Sequence, residues 1–123
     1  MQIVDHFRPE TEFYIGERCY ITELHNTGLD PGCSVARARL EPGVTTRLHR
    51  VQDTIERYVI IEGEGEVEID GGAPQAVCPM DIVNIAAGAV QRITNTGARD
   101  LIFLCICTPR FVAQNYVDCD APP

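Results

Sequence analysis

Hydrophobic and polar residues alternate singly over short runs of this chain, and glycine and proline cut the runs apart. A period of two is the mark of β-strands, whose successive side chains point to opposite faces of a sheet. The 3.6-residue spacing of an amphipathic helix is almost absent. The pattern predicts strands over 18–24, 34–41, 44–51, 56–62, 64–70, 75–78, 81–85, 90–95 and 100–108. Specific turn chemistry fills the breaks: Asp30-Pro31-Gly32, Glu41-Pro42-Gly43, Asp70-Gly71-Gly72, Ala87-Gly88 and Asn95-Thr96-Gly97. Asp70-Gly71, after the alternating EVEID run, is the strongest hairpin signal, because both central residues of a type I′ turn need positive φ. Many short strands punctuated in this way specify an all-β barrel or sandwich. The two β-type halves on either side of Gly71-Gly72 are consistent with two Greek keys.

The chain has 123 residues, too few for two separate cores, so a single domain over 1–123 is expected. The polar, proline-ended stretch 110–123 reads as a surface tail or a strap across the barrel mouth. Alternation also sorts side chains by face. Arg47, His49 and Val51 fall on one face of their strand, Glu56, Tyr58 and Ile60 on one face of the next, and Phe103, Cys105 and Cys107 on one face of the last. An inward His49 and Glu56 would draw Arg47 and Tyr58 in with them.

Ten basic against 18 acidic residues give a net charge of −8, which argues against nucleic acid or anionic lipid as a partner. The longest clean apolar run, LIFLCIC at 101–107, is far shorter than the roughly 20 residues of a membrane helix. The N-terminal stretch MQIVDHFRPE has neither the basic nor the apolar part of a secretory signal, so a cytoplasmic protein with no membrane partner is expected. Six cysteines without an export signal read as reduced thiols rather than three disulfides, and no C-x-x-C suggests a zinc ribbon.

Two glycine-bounded cassettes carry the candidate chemistry. In the first, Gly43, His49, Glu56 and Gly63 stand at the spacing G-x5-H-x-H-x4-E-x6-G, with Val51 in place of the second histidine. In the second, Gly88 and Asn95 fit G-x5-P-x-G-x2-H-x3-N, with Met80, Ala86 and Gln91 in place of its first glycine, its proline and its histidine. On these residues the chain resembles a small single-domain cupin of the type-2 conserved-barrel group. The resemblance implies a double-stranded β-helix, or jelly roll, and a homodimer. It also implies one divalent transition metal (Mn, Fe, Ni or Zn) held by His49, Glu56 and Gln91.

The departures bear directly on that implication. The chain's only histidines are His6, His25 and His49, so no three-histidine site can form at the motif positions. A carboxamide oxygen is a poorer partner than imidazole for Fe, Ni or Zn, and valine supplies no bond at all. Gln52 would restore a donor if the chain bulges before Glu56. The strand faces place Arg47, Val51, Tyr58, Phe103 and Cys105 around a small-molecule ligand, and the resemblance implies that Arg47 orients it and Tyr58 can give a proton. Two functions follow, beside a purely structural or assembly role. One is a metal-assisted barrel that binds a small oxygenated or anionic molecule at its mouth, with Arg47 as a clamp for a carboxylate, in the manner of oxygenases, isomerases or decarboxylases. The other is a metal-free binding or sensory barrel with a degenerate metal site. The sequence does not select between enzyme and binding module, since the fold serves many chemistries.

Overall fold

The computed structural model describes residues 1–120 and consists almost entirely of antiparallel strands. These are β1 (Phe13–Ile15), β2 (Cys19–His25), β3 (Ser34–Leu40), β4 (His49–Val51), β5 (Ile55–Glu62), β6 (Gly65–Ile69), β7 (Gln75–Val77), β8 (Ile82–Ile85), β9 (Gln91–Asn95), β10 (Leu101–Thr108) and β11 (Tyr116–Asp118). One sheet runs β1-β2-β3-β10-β5-β8 and the other β11-β4-β9-β6-β7. From β3 to β6, and again from β7 to β11, the chain crosses to the opposite sheet at every step. That winding is the jelly roll, and it closes both sheets over one interior.

The alternation seen in the sequence becomes burial. Glu56, Tyr58 and Ile60 point inward from β5, and Gln91, Ile93 and Asn95 point inward from β9. Leu40, Ile60, Ile93 and Leu101, drawn from both sheets, are completely buried. Each such side chain contributes about 1.5–3 kcal/mol. Polar Asn95 is tolerated in this interior because its amide group donates to the carbonyls of Leu40 (2.9 Å) and Arg99 (2.8 Å) while its oxygen accepts from Gly97 N–H (2.9 Å). It thereby pins the turn into β10. Asp70 and Gly71 both take positive φ, 51° and 72°, as the sequence predicts for the β6–β7 connection.

The strand expected over 44–51 is shorter in the structure, where only His49–Val51 is regular. The cause is Thr46, whose hydroxyl accepts the Ile93 N–H (3.0 Å) and so occupies a donor that a regular ladder would use. Residues 44–48 still follow β9, through Thr46 N–H to Ile93 O (2.9 Å) and a lone Thr45–Thr94 bridge. Two three-residue strands, β1 and β11, were not legible in the pattern. The second lies within the 110–123 stretch and pairs antiparallel with β4, setting Tyr116 opposite Val51 and Asp118 opposite His49; residues 121–123 of that stretch lie outside the described residues. All six cysteines are free thiols. Among the described residues no helix is long and apolar enough to cross a membrane.

Candidate functional site

A cavity of about 480 Å³ opens between the sheets at the end where β11 lies. The face that Arg47, His49 and Val51 share on and beside β4 turns into it, as does the Glu56 and Tyr58 face of β5. Cys105 and Cys107 of β10 join them because the register sets Cys105 beside Tyr58 and Cys107 beside Glu56. Gln91 and Phe103 are not in the wall. Phe103 sits in the core behind Tyr58, ring centroids 4.5 Å apart. Gln52 does not turn inward. It is exposed, its backbone N–H bonded to Asn115 O at 2.8 Å, because the chain turns outward through Asp53 at φ 56°.

Gln91 is buried just beneath the floor of the cavity and bridges two other side chains. Its amide nitrogen donates to Glu56 Oε1 at 2.8 Å, and its carbonyl oxygen accepts the Tyr58 hydroxyl. The Cys107 thiol points at Glu56 Oε2 from 3.8 Å. Burial raises the Glu56 carboxyl above its ordinary range, although the Gln91 amide and the nearby His49 pull the other way. The same lack of solvent, reinforced by the Glu56 charge, pushes Tyr58 and Cys105 up and raises Cys107 to about 12. These thiols therefore stay protonated and are weak nucleophiles and weak ligands at neutral pH.

His49 is held on three sides. Its Nδ1 is 2.8 Å from Arg47 O, its ring stacks on Tyr116 at 5.1 Å, and its Nε2 faces Glu17 Oε2 at 3.7 Å. Glu17, from the turn joining β1 and β2, was not anticipated. No motif marks it, and its backbone carbonyl reaches the site by accepting Arg47 N–H (3.2 Å). Its carboxylate also accepts from Cys19 Sγ at 3.3 Å. Arg47 is clamped by Asp118 of β11, with Nε–Oδ2 2.9 Å and Nη2–Oδ1 3.4 Å, and has Asp120 at 4.0 Å.

This donor set does not fit a transition-metal ion. The valine at 51 offers no lone pair, and the Gln91 oxygen is engaged by Tyr58 rather than aimed into the cavity. Among the described residues no group of three or more His, Cys, Asp and Glu side chains converges as a metal cage. Two family-position donors, His49 and Glu56, are present at the cavity, each already facing another side chain.

Comparison with known proteins places these observations in a family. Residues 36–107 match the family model described as the cupin domain. An oxalate-binding protein of Thermotoga maritima is 37% identical over 71 residues, a match covering 58% of this chain and 58% of that protein's length. The crystal structure of a predicted oxalate decarboxylase from Thermotoga maritima superposes with a TM-score of 0.73 at 25% identity, covering 80% of this chain and 92% of that one. An uncharacterised protein with a double-stranded β-helix domain from Klebsiella pneumoniae gives 0.75 at 18% identity, covering 91% and 93%.

Proposed function

The chain belongs to the cupin family, and from that premise we propose that it is a small-molecule-binding barrel whose pocket works without a resident metal ion. The observation that carries this reading is the state of Gln91. At the position of the second motif's histidine, its oxygen is tied to Tyr58 and its nitrogen to Glu56, so it buttresses the carboxylate instead of offering a ligand. A relative named for binding oxalate supports a small-molecule ligand for this barrel too. We read the C-terminal stretch with β11 as a strap across the pocket mouth, and the protein as a cytoplasmic homodimer that covers an open sheet edge.

Metal-assisted chemistry of the oxygenase, isomerase or decarboxylase kind is the second reading, favoured by His49 and Glu56 standing at the cavity. It requires Gln91 to release Tyr58 and rotate, which leaves a buried hydroxyl unpaired at a cost of about 1–3 kcal/mol. A thermal-shift screen of small molecules, run with and without EDTA, separates the two. Ligands that stabilise the protein should do so equally after chelation, since stabilisation by mass action needs only selective binding to the native state. They should fail with Ala36→Phe, which fills the cavity wall. Stabilisation that vanishes on chelation and returns with added Mn or Zn contradicts the proposal.

A further inference from the structure

We infer that the pocket takes a small organic cation, an N–H-bearing ammonium or amidinium on an apolar body, and discriminates against small carboxylates. The inference rests on the pocket reading above and concerns only which ligand enters. Four carboxylates line the cavity: Glu17, Glu23, Glu56 and Asp118. Against them stand one guanidinium and one imidazole, and neither is free. Asp118 grips Arg47 through two contacts, with Asp120 behind it, and His49 Nε2 faces Glu17. An incoming carboxylate therefore finds no unpartnered cation in the wall and competes with Asp118 for the Arg47 charge.

The acidic groups, by contrast, have acceptor capacity to spare. Glu56 receives one N–H from Gln91 and a long thiol contact from Cys107, and among the described residues it has no salt-bridge partner. Glu23, at the exposed mouth, has no salt-bridge partner among the described residues. A buried or half-buried carboxylate gains most from a charged donor, because charge-assisted hydrogen bonds are about twice as strong as neutral ones. Apolar side chains, among them Ile15, Ile21, Val51 and Phe111, supply much of the remaining wall and suit a hydrocarbon body. The chain's net charge of −8 draws cations toward the mouth.

Three probes of one shape test this: phenethylamine, phenylacetamide and phenylacetate, together with oxalate. Each is titrated into the chelated protein and followed by NMR chemical shifts into the millimolar range. The expected order is amine, then amide, then phenylacetate, with oxalate no better than phenylacetate. The amine should bind at least about tenfold tighter than phenylacetate. Glu17→Gln and, at the exposed rim, Glu23→Gln should each cut the amine's advantage over the amide severalfold while leaving the amide's own affinity nearly unchanged. Phenylacetate or oxalate binding as tightly as the amine overturns the charge preference and leaves the pocket reading standing, and so does an amide equal to the amine. No shift at the cavity residues with any probe overturns the pocket reading and this inference with it.

Discussion

Burial holds the Glu56 carboxyl above the usual carboxylate range, and the sign of its effect on stability follows from that direction. The folded protein keeps the proton more tightly than the unfolded chain does, so between the unfolded and folded pKa values the native state holds more protons. Stability then falls as pH rises through that window. Glu56→Gln keeps an acceptor for the Gln91 amide and removes the titration. The variant should therefore gain on the wild type as pH is raised from about 4 to about 8, measured as the difference between their urea-unfolding free energies at each pH. A difference that stays flat would mean that Glu56 does not titrate in a buried setting. Gln91 shows how a residue can be visible in sequence while its job is not. The spacing marks position 91 as a ligand site, but whether an amide there faces the cavity or turns to a neighbour depends on Tyr58, on another strand and in the opposite sheet. Glu17 carried no signal at all, because it enters the site through a turn whose approach to Arg47 is purely tertiary.

Strands with a buried and an exposed face were legible because alternation is imposed by the pleat itself. β9 repeats buried and half-buried residues strictly, and the sequence range 90–95 falls within one residue of it. β1 was not legible, since Phe13 and Tyr14 are both exposed and no alternation exists to read. β11 was missed for the related reason that none of its three residues is fully buried. The irregular passage before β4 was hidden in Thr46, whose hydroxyl competes with the backbone for a ladder N–H. Close approach of elements leads to a prediction of its own. A methyl group at Gly65 of β6 would lie 2.6 Å from Thr94 O on β9 and 2.8 Å from Leu101 Cδ2. Gly65→Ala should destabilise the fold by about 1–3 kcal/mol through overpacking. Gly28→Ala, which meets nothing within 4 Å, should stay within about 0.5 kcal/mol of wild type. Equal midpoints for the two variants in denaturant unfolding would show that β6 and β9 can part without strain.

At the scale of the whole molecule, the jelly roll brings β1 to β5, β10 and β11 around one cavity, and so assembles residues that the chain spreads from position 13 to position 118. The family spacing was enough to place the barrel, because glycines and inward-facing side chains recur at fixed intervals around it. It was not enough to decide the chemistry, because positions 51 and 91 depart from the family's histidines and Gln91 is turned to Tyr58 and Glu56. A cupin barrel retaining one histidine and one glutamate of its motif, with an amide turned to bridge that glutamate and a tyrosine, is consistent with ligand binding by hydrogen bonds and charge alone. The most direct measurement is elemental mass spectrometry on the untagged protein after incubation with Mn, Fe, Ni and Zn and removal of free ions, beside the variant Val51→His/Gln91→His. The account predicts that the wild type retains far less than one ion per chain, while the variant, with its three imidazoles and Glu56, retains about one. Near-stoichiometric metal in the wild type, lost in His49→Ala, would contradict it.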